Sequence, residues 1–179
     1  VSRGLGDVYK RQYRISKDEL FCNLVDADGY YFTHFLQDKA KTAYGGAELK
    51  YGYKDWFDAS LKGTFYSWKT DNENEELYLM TKPKFELNFY AEAKVFEGLK
   101  VYLGYEYVQR KEYVIEEGNS SRDLGLGNIS NLSVGASYTF LKDLSVFGRV
   151  NNLLNKQYYY EYGYPAEKLN VLAGLSLVF

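Results

Sequence analysis

The last residues of the chain alternate. Val171, Ala173, Leu175, Leu177 and Phe179 fall on one side of an extended strand. Asn170, Gly174 and Ser176 fall on the other, with Leu172 and Val178 among them. Successive side chains of a strand point to opposite faces, so a period of two is the mark of a strand with one apolar side. The same period recurs upstream. It predicts strands over 42–53, 56–68, 83–96, 99–110, 130–140, 144–154 and 169–179, a weaker one over about 30–37 and another over about 13–24.

Each strand divides cleanly. In 83–96, Phe85, Leu87, Phe89, Ala91, Ala93 and Val95 share one side, against Lys84, Glu86, Asn88, Glu92 and Lys94. In 99–110, Leu99, Val101, Leu103, Tyr105 and Tyr107 oppose Lys100, Glu106 and Arg110. In 130–140, Leu132, Val134, Ala136, Tyr138 and Phe140 oppose Asn131, Ser133, Gly135, Ser137 and Thr139. Strand 42–53 sets Glu48 and Lys50 against Ala47, Leu49 and Tyr51, and 56–68 sets Asp58 and Lys62 against Phe57, Ala59, Leu61 and Phe65. Within these windows every charged residue, Arg149 included, has the polar parity, and Lys111 lies just past one window. A charge facing lipid near mid-bilayer costs roughly 2–4 kcal/mol, which gives the pattern a cause.

The connections alternate too. Lys54-Asp55, Glu97-Gly98 and Lys142-Asp143 are short and lie at the end of the C-terminus. The connections over about 71–82, 115–127 and 159–167 are long and polar and lie at the other end. That asymmetry is expected of an outer-membrane barrel. Alternation alone does not say which face is inside, since a soluble lipocalin-like barrel would turn the apolar set inward. Aromatic placement favours the membrane. Tyr51, Tyr53, Phe57, Tyr138, Phe140 and Phe179 have apolar parity and gather near the short turns, as an interfacial girdle would. Phe65, Phe85 and Tyr107 make a thinner set opposite. The strands also exceed the usual length of about 5–6 residues. The expected fold is all-β, an antiparallel transmembrane β-barrel.

Composition agrees. The 20 tyrosines and 11 phenylalanines favour strands, and Pro83 and Pro165 fall at a strand start and in a loop. No apolar run approaches the ~18 residues of a transmembrane helix. A net charge of −2 gives nucleic-acid binding no electrostatic support. Cys22 is alone and cannot form an internal disulfide. Met80 is the one methionine and no signal-peptide pattern is present, so the chain reads as a processed product or a fragment. Residues 1–12 lack the alternation, carry several basic residues and read as a non-native, adaptor-derived leader before a barrel segment over 13–179; a native turn is the alternative.

Catalytic and metal chemistry find little support. His34 is the sole histidine, within the aromatic run 30–35, and no local motif supplies an orienting partner. No histidine pair or carboxylate cluster suggests a metal site, and no cofactor is expected. The acidic stretch Asp71–Glu76 lacks the glycine-punctuated spacing of a calcium loop. Gly125-Leu126-Gly127 has no strand-to-helix context for a phosphate. The inward charges (Glu48, Lys50, Asp58 and Lys62 among them) mix both signs, which suggests pairing along a wall rather than a selective ring.

One segment is more specific. Asn152, Leu153, Asn155, Lys156 and Tyr158, followed by Gly163, Tyr164 and Pro165 and a strand ending in Phe179, resemble the C-terminal end of TonB-dependent outer-membrane receptors. The resemblance covers about 146–179, and upstream residues share only barrel texture. It implies a barrel of about 22 strands with a plugged lumen. This chain would supply the C-terminal eight or nine. It also implies uptake of a scarce ligand such as an iron chelate, cobalamin or a glycan, with energy relayed by a TonB-type coupling protein, and no enzymatic role. A complete eight-stranded barrel over about 30–179, with an adhesive or structural role, is the second reading; a soluble binding barrel is the third. The Asn-rich segment is expected to be structural, satisfying backbone groups where a strand leaves the membrane. Val171, Ala173, Leu175, Leu177 and Phe179 resemble the signal read by the outer-membrane assembly machinery, which recognises an exposed edge by strand addition.

Overall fold

The computed structural model describes residues 6–24, 32–70, 75–111, 114–117, 120–123, 126–141, 144–161 and 164–177. The elements are β1 (Gly6–Leu24), β2 (Phe32–Tyr53), β3 (Phe57–Thr70), α1 (Glu75–Met80), β4 (Pro83–Phe96), β5 (Leu99–Arg110), β6 (Val114–Glu117), β7 (Ser120–Asp123), β8 (Ile129–Leu141), β9 (Leu144–Asn151), β10 (Tyr159–Glu161), β11 (Tyr164–Pro165) and β12 (Asn170–Leu177). Eight of the strands form one antiparallel sheet in the order β1-β2-β3-β4-β5-β8-β9-β12, and the pairs β6-β7 and β10-β11 stand apart from it. This is the strand array of a transmembrane barrel, left open: β1 and β12 are its two edges and do not pair with each other.

Register follows the hydrophobic pattern. Tyr51, Ala59, Ala91, Leu103, Val134, Val150 and Val171 form a row of directly paired residues across seven strands. A slip of one residue anywhere would turn a strand's apolar set to the polar side, so the whole ladder is specified at once. These apolar residues do not make a protein core. Phe65 is 66% exposed, Val171 68% and Leu175 71%. An apolar face of this extent is the face that a bilayer covers. The buried hydrophobic residues sit instead at the long-loop end, where Val108, Ile129 and Tyr158 cluster and Met80 packs with Leu126.

The short turns are pinned to the sheet. Lys54 and Gly98 take positive φ, and a Cβ at Gly98 would lie 2.5 Å from the Thr139 carbonyl oxygen. The Gly98 carbonyl accepts from Thr139 N–H, and the Trp56 carbonyl accepts from Lys94 N–H.

Several expectations need correction. Of the weak strand expected over about 30–37, the described residues 32–37 are the start of β2, which runs unbroken to Tyr53 because β1 offers it a partner along nearly that whole length. The eight sheet strands therefore include β1, and no strand over 30–37 meets β12 to close a small barrel. The strand expected over 144–154 stops at Asn151, since Asn152 turns into the left-handed region with φ 49°. The long connections hold α1, the β6-β7 hairpin and the β10-β11 pair. β1 begins at Gly6, inside the segment read as a leader. Its register sets Asp7 opposite Leu49 and Arg11 opposite Gly45, which are apolar-parity positions of β2. Val178 and Phe179 lie outside the described residues, as do Gly163 and the side chains of Cys22 and His34.

The two faces differ in space as well as polarity. On the polar side, a Cβ added at Gly46, Gly104, Gly135 or Gly174 would come within 2.8 Å of a neighbouring strand or side chain. At Gly135 the obstacle is the Tyr102 ring at 2.4 Å, and at Gly174 the Phe147 ring at 2.6 Å. On the apolar side, Gly63 meets nothing closer than 3.8 Å and Gly148 meets nothing within 4 Å.

Candidate functional site: the polar wall and its outer rim

The polar parity of β2, β3, β4, β5, β8 and β9 builds one continuous wall. Towards its short-turn end, Lys100 on β5 reaches Glu92 on β4 at 3.2 Å, and the Tyr90 hydroxyl donates to the same carboxylate at 3.0 Å. Tyr90 and Tyr102 stack beside them, with centroids 6.3 Å apart. Lys50 pairs with Glu48 on its own strand at 3.2 Å. The mixed signs expected on this face thus resolve into local pairs. Towards the long-loop end the wall turns aromatic. Tyr44, Tyr66 and Trp68 lie in sequence, their rings 5.6 and 6.0 Å apart, and form a ladder over β2 and β3. Each ring is anchored by its polar atom: the Tyr44 hydroxyl donates to Gln12, the Tyr66 hydroxyl to Glu86 at 2.7 Å, and Trp68 Nε1 to the Pro83 carbonyl at 2.7 Å. A recess below the ladder is lined by Tyr44, Gly46, Glu48, Lys62, Thr64 and Tyr66.

The rim is organised by Asn152. Its side chain is 1% exposed, and every polar atom of its carboxamide is used. Nδ2 donates to the Lys156 carbonyl at 2.7 Å and to the Glu167 carbonyl at 3.1 Å, while Oδ1 accepts from Lys156 N–H at 3.2 Å. Asn152 N–H donates to Asn131 Oδ1 at 3.1 Å, and Leu153 N–H to the Leu132 carbonyl. Asn155 also has φ 49°, and its Oδ1 accepts from Leu169 N–H at 3.2 Å. Asparagine tolerates the left-handed region better than most residues, and its short amide reaches local backbone. The two asparagines therefore serve the same turn. Tyr158 is buried against Val108, Ile129 and Ala166, and its carbonyl accepts from Ala166 N–H. Lys156 takes part through its backbone, whereas Leu153, Tyr164 and Pro165 are exposed.

Arg110 adds a clamp that no local motif announces. It ends β5 at 9% exposure, and its guanidinium donates to the carbonyls of Tyr159 and Tyr160. Its backbone N–H donates to Asn128 Oδ1 at 2.9 Å. The Tyr160 hydroxyl donates to Glu106 at 3.2 Å, so the last long connection is tied to β5 twice. Burial raises the pKa of Tyr160, helped by the Glu106 carboxylate, and burial also raises that of Tyr158. The Arg110 guanidinium stays charged at any working pH.

The remaining sequence-predicted residues fall in two places. Tyr51 and Phe57 lie 6.2 Å apart by ring centroid, and Tyr53 meets Trp56 edge-on at 5.7 Å. Tyr138 and Phe140 lie 6.4 Å apart, with Phe96 against Tyr138. At the other end Phe65, Phe85 and Tyr107 touch in series across three strands. From Phe57 to Phe65 is roughly 27 Å of extended strand, or roughly 21 Å of depth at a tilt of about 40°. The two aromatic levels are thus separated by about one hydrocarbon band. Val171, Ala173, Leu175 and Leu177 line the outward side of β12, whose single partner in the sheet is β9. Among the described residues no group of three histidine, cysteine, aspartate or glutamate side chains could hold a metal ion.

Comparison with known proteins agrees on fold. The ferripyoverdine receptor of the outer membrane of Pseudomonas aeruginosa, bound to ferripyoverdine, superposes with a TM-score of 0.68 at 15% identity, over 97% of this chain and 25% of that one. The P. aeruginosa receptor FpvA bound to a heterologous pyoverdine gives 0.70 at 14% identity, over 97% and 24%. A mutant of the P. aeruginosa ferric enterobactin receptor gives 0.67 at 17% identity, over 98% and 29%. No family profile and no curated protein matches the sequence. The fold is therefore that of an outer-membrane receptor barrel, and the chain spans about a quarter of the length of the receptors it superposes on.

Proposed function

We propose that this chain is the C-terminal part of the barrel of a TonB-dependent outer-membrane receptor, which takes up a ligand of the iron-chelate, cobalamin or glycan class. The observation that carries the reading is the rim turn. Asn152, Asn155 and Tyr158, the residues that prompted the family resemblance, hold the loop before β12 in place at the outer end of the sheet. The open edges of β1 and β12 fit a larger barrel, because an unpaired edge in lipid leaves backbone groups unsatisfied. The polar wall faces the lumen, the apolar wall faces lipid, and the two aromatic levels mark the interfaces. Energy comes from a TonB-type coupling protein, and insertion uses the assembly machinery through Val171, Ala173, Leu175, Leu177 and Phe179. The protein is not an enzyme. Residues 1–12 are read as a non-native leader for their lack of alternation and their basic residues.

The test is uptake by the full-length protein in outer membranes. Labelled ferric chelates, cobalamin and oligosaccharides are offered in turn, with and without a collapsed proton-motive force. Energy-dependent accumulation of one class is expected. Passive entry of all small solutes at equal rates would refute the receptor assignment.

A further inference from the structure

On the polar face of β2 and β3, large side chains give way at one place to small ones. Register pairs Tyr44 with Tyr66, then Gly46 with Thr64, then Glu48 with Lys62. Within each strand these positions share the polar parity, so the three rows stand one above another on the same wall. From the aromatic row to the charged row is four residues, roughly 13 Å of strand. The row between them carries only a glycine and a threonine, and a recess of about 270 Å³ opens there. Its floor has no room for a larger residue: a Cβ at Gly46 would lie 2.6 Å from the Gly63 carbonyl oxygen and 2.8 Å from Thr64 Oγ1.

The upper wall of the recess is formed by the rings of Tyr44 and Tyr66, 5.6 Å apart, and Trp68 stacks behind Tyr66 at 6.0 Å. The Tyr66 hydroxyl is engaged by Glu86 and Trp68 Nε1 by the Pro83 carbonyl, so these rings are held in place and Tyr66 offers surface rather than a donor. The lower wall supplies a carboxylate and an ammonium group, Glu48 and Lys62. Charge around the recess is balanced, with Glu48 and Glu86 set against Lys50 and Lys62, and Lys50 lies 3.2 Å from Glu48. An anionic chelate finds no excess positive charge here. A neutral sugar ring suits both walls: its C–H face lies against the negative face of an aromatic ring, and its hydroxyls both donate and accept. Ligand sites commonly join an apolar platform to a few convergent polar groups in this way. We infer that the recess binds one ring of an uncharged oligosaccharide in the lumen, stacked on Tyr44 and Tyr66, with its hydroxyls bonded to Glu48, Lys62 and Thr64. The inference rests on the receptor reading above and selects the glycan class within it.

Binding is measured by titration calorimetry on the full-length protein in a sugar-free detergent. The probes are neutral gluco-, manno- and xylo-oligosaccharides and, as an anionic chelate, ferric citrate. A neutral series is expected to bind and ferric citrate is not. The Y44F/Y66F variant keeps both rings and should bind within about threefold of the unaltered protein, whereas Y44A/Y66A should bind roughly thirtyfold more weakly. An unchanged affinity in Y44A/Y66A, or an equal loss in both variants, overturns the stacking site. So does an unaltered protein that binds none of the three series, or that binds ferric citrate in competition with them. Sugar binding without energy-dependent uptake upholds the site and overturns the receptor reading. Energy-dependent uptake of a chelate with no sugar bound does the reverse.

Discussion

Ala91, Leu103, Val134 and Val150 form one row across four strands, and Tyr90, Gly104 and Ser133 form the next row on the opposite face. The backbone is the same in both, yet the rows live under different rules. On the outward row shape matters little, because lipid chains conform to whatever surface they meet. On the inward row each side chain must fit its neighbours. Tyr102 lies over Gly135, Phe147 over Gly174, and Glu92 is shared between a lysine and a tyrosine. Polarity is restricted outside and packing is restricted inside.

Moving a charge is the sharpest way to break this contrast. Leu103→Lys, midway between the aromatic levels, should destabilise the barrel by roughly 2–4 kcal/mol, whereas Asn88→Lys on the polar wall should stay within about 0.5 kcal/mol. Urea unfolding of the full-length protein in lipid vesicles measures both. Equal losses would mean that neither face is lipid-facing.

Space gives a smaller effect in the reverse direction. Gly135→Ala drives a methyl group into the Tyr102 ring and should cost about 1–3 kcal/mol. Gly148→Ala meets open space on the apolar side and should gain about 0.5–1 kcal/mol, since alanine loses less chain entropy than glycine. The same unfolding assay reads the pair, and a costly Gly148→Ala would contradict the open outer face.

The smallest effect concerns a carboxylate of the polar wall at the rim. Tyr160 donates to Glu106, and its pKa is raised in the folded protein, so the fold holds that proton more tightly than the unfolded chain does. Its contribution is complete below the ordinary tyrosine value near 10 and is lost as pH rises past it. Amide hydrogen exchange around Tyr159 and Tyr160 should accelerate above about pH 10 in the native protein. The step should be absent in Tyr160→Phe, and an identical step there would assign the effect elsewhere.

Parity and the short turns were legible in the sequence because a period of two is a local property of each strand. The extent of β2 was not. The Gly45-Gly46 pair and the lysines at 39 and 41 interrupt its alternation, and only the β1 ladder shows that the strand continues. The helix α1 was hidden behind Asp71–Asn74, although Glu75-Glu-Leu-Tyr-Leu-Met80 is rich in good helix formers. The β6-β7 hairpin had a usable signal, the dipeptide Gly118-Asn119 between two short runs. Asn152 stood out through its motif. Arg110 could not, because it answers carbonyls 49 and 50 positions away, a spacing that nothing local encodes.

The crowded glycines of the polar side also bear on curvature. When a sheet bends, side chains on its hollow side are squeezed together and those on its bulging side spread apart. Crowding at Gly46, Gly104, Gly135 and Gly174, with room at Gly63 and Gly148, is the asymmetry that a bend towards the polar side would need. A sheet bent that way would carry its charges on the hollow side, the side that becomes the inside of a cylinder when further strands close it.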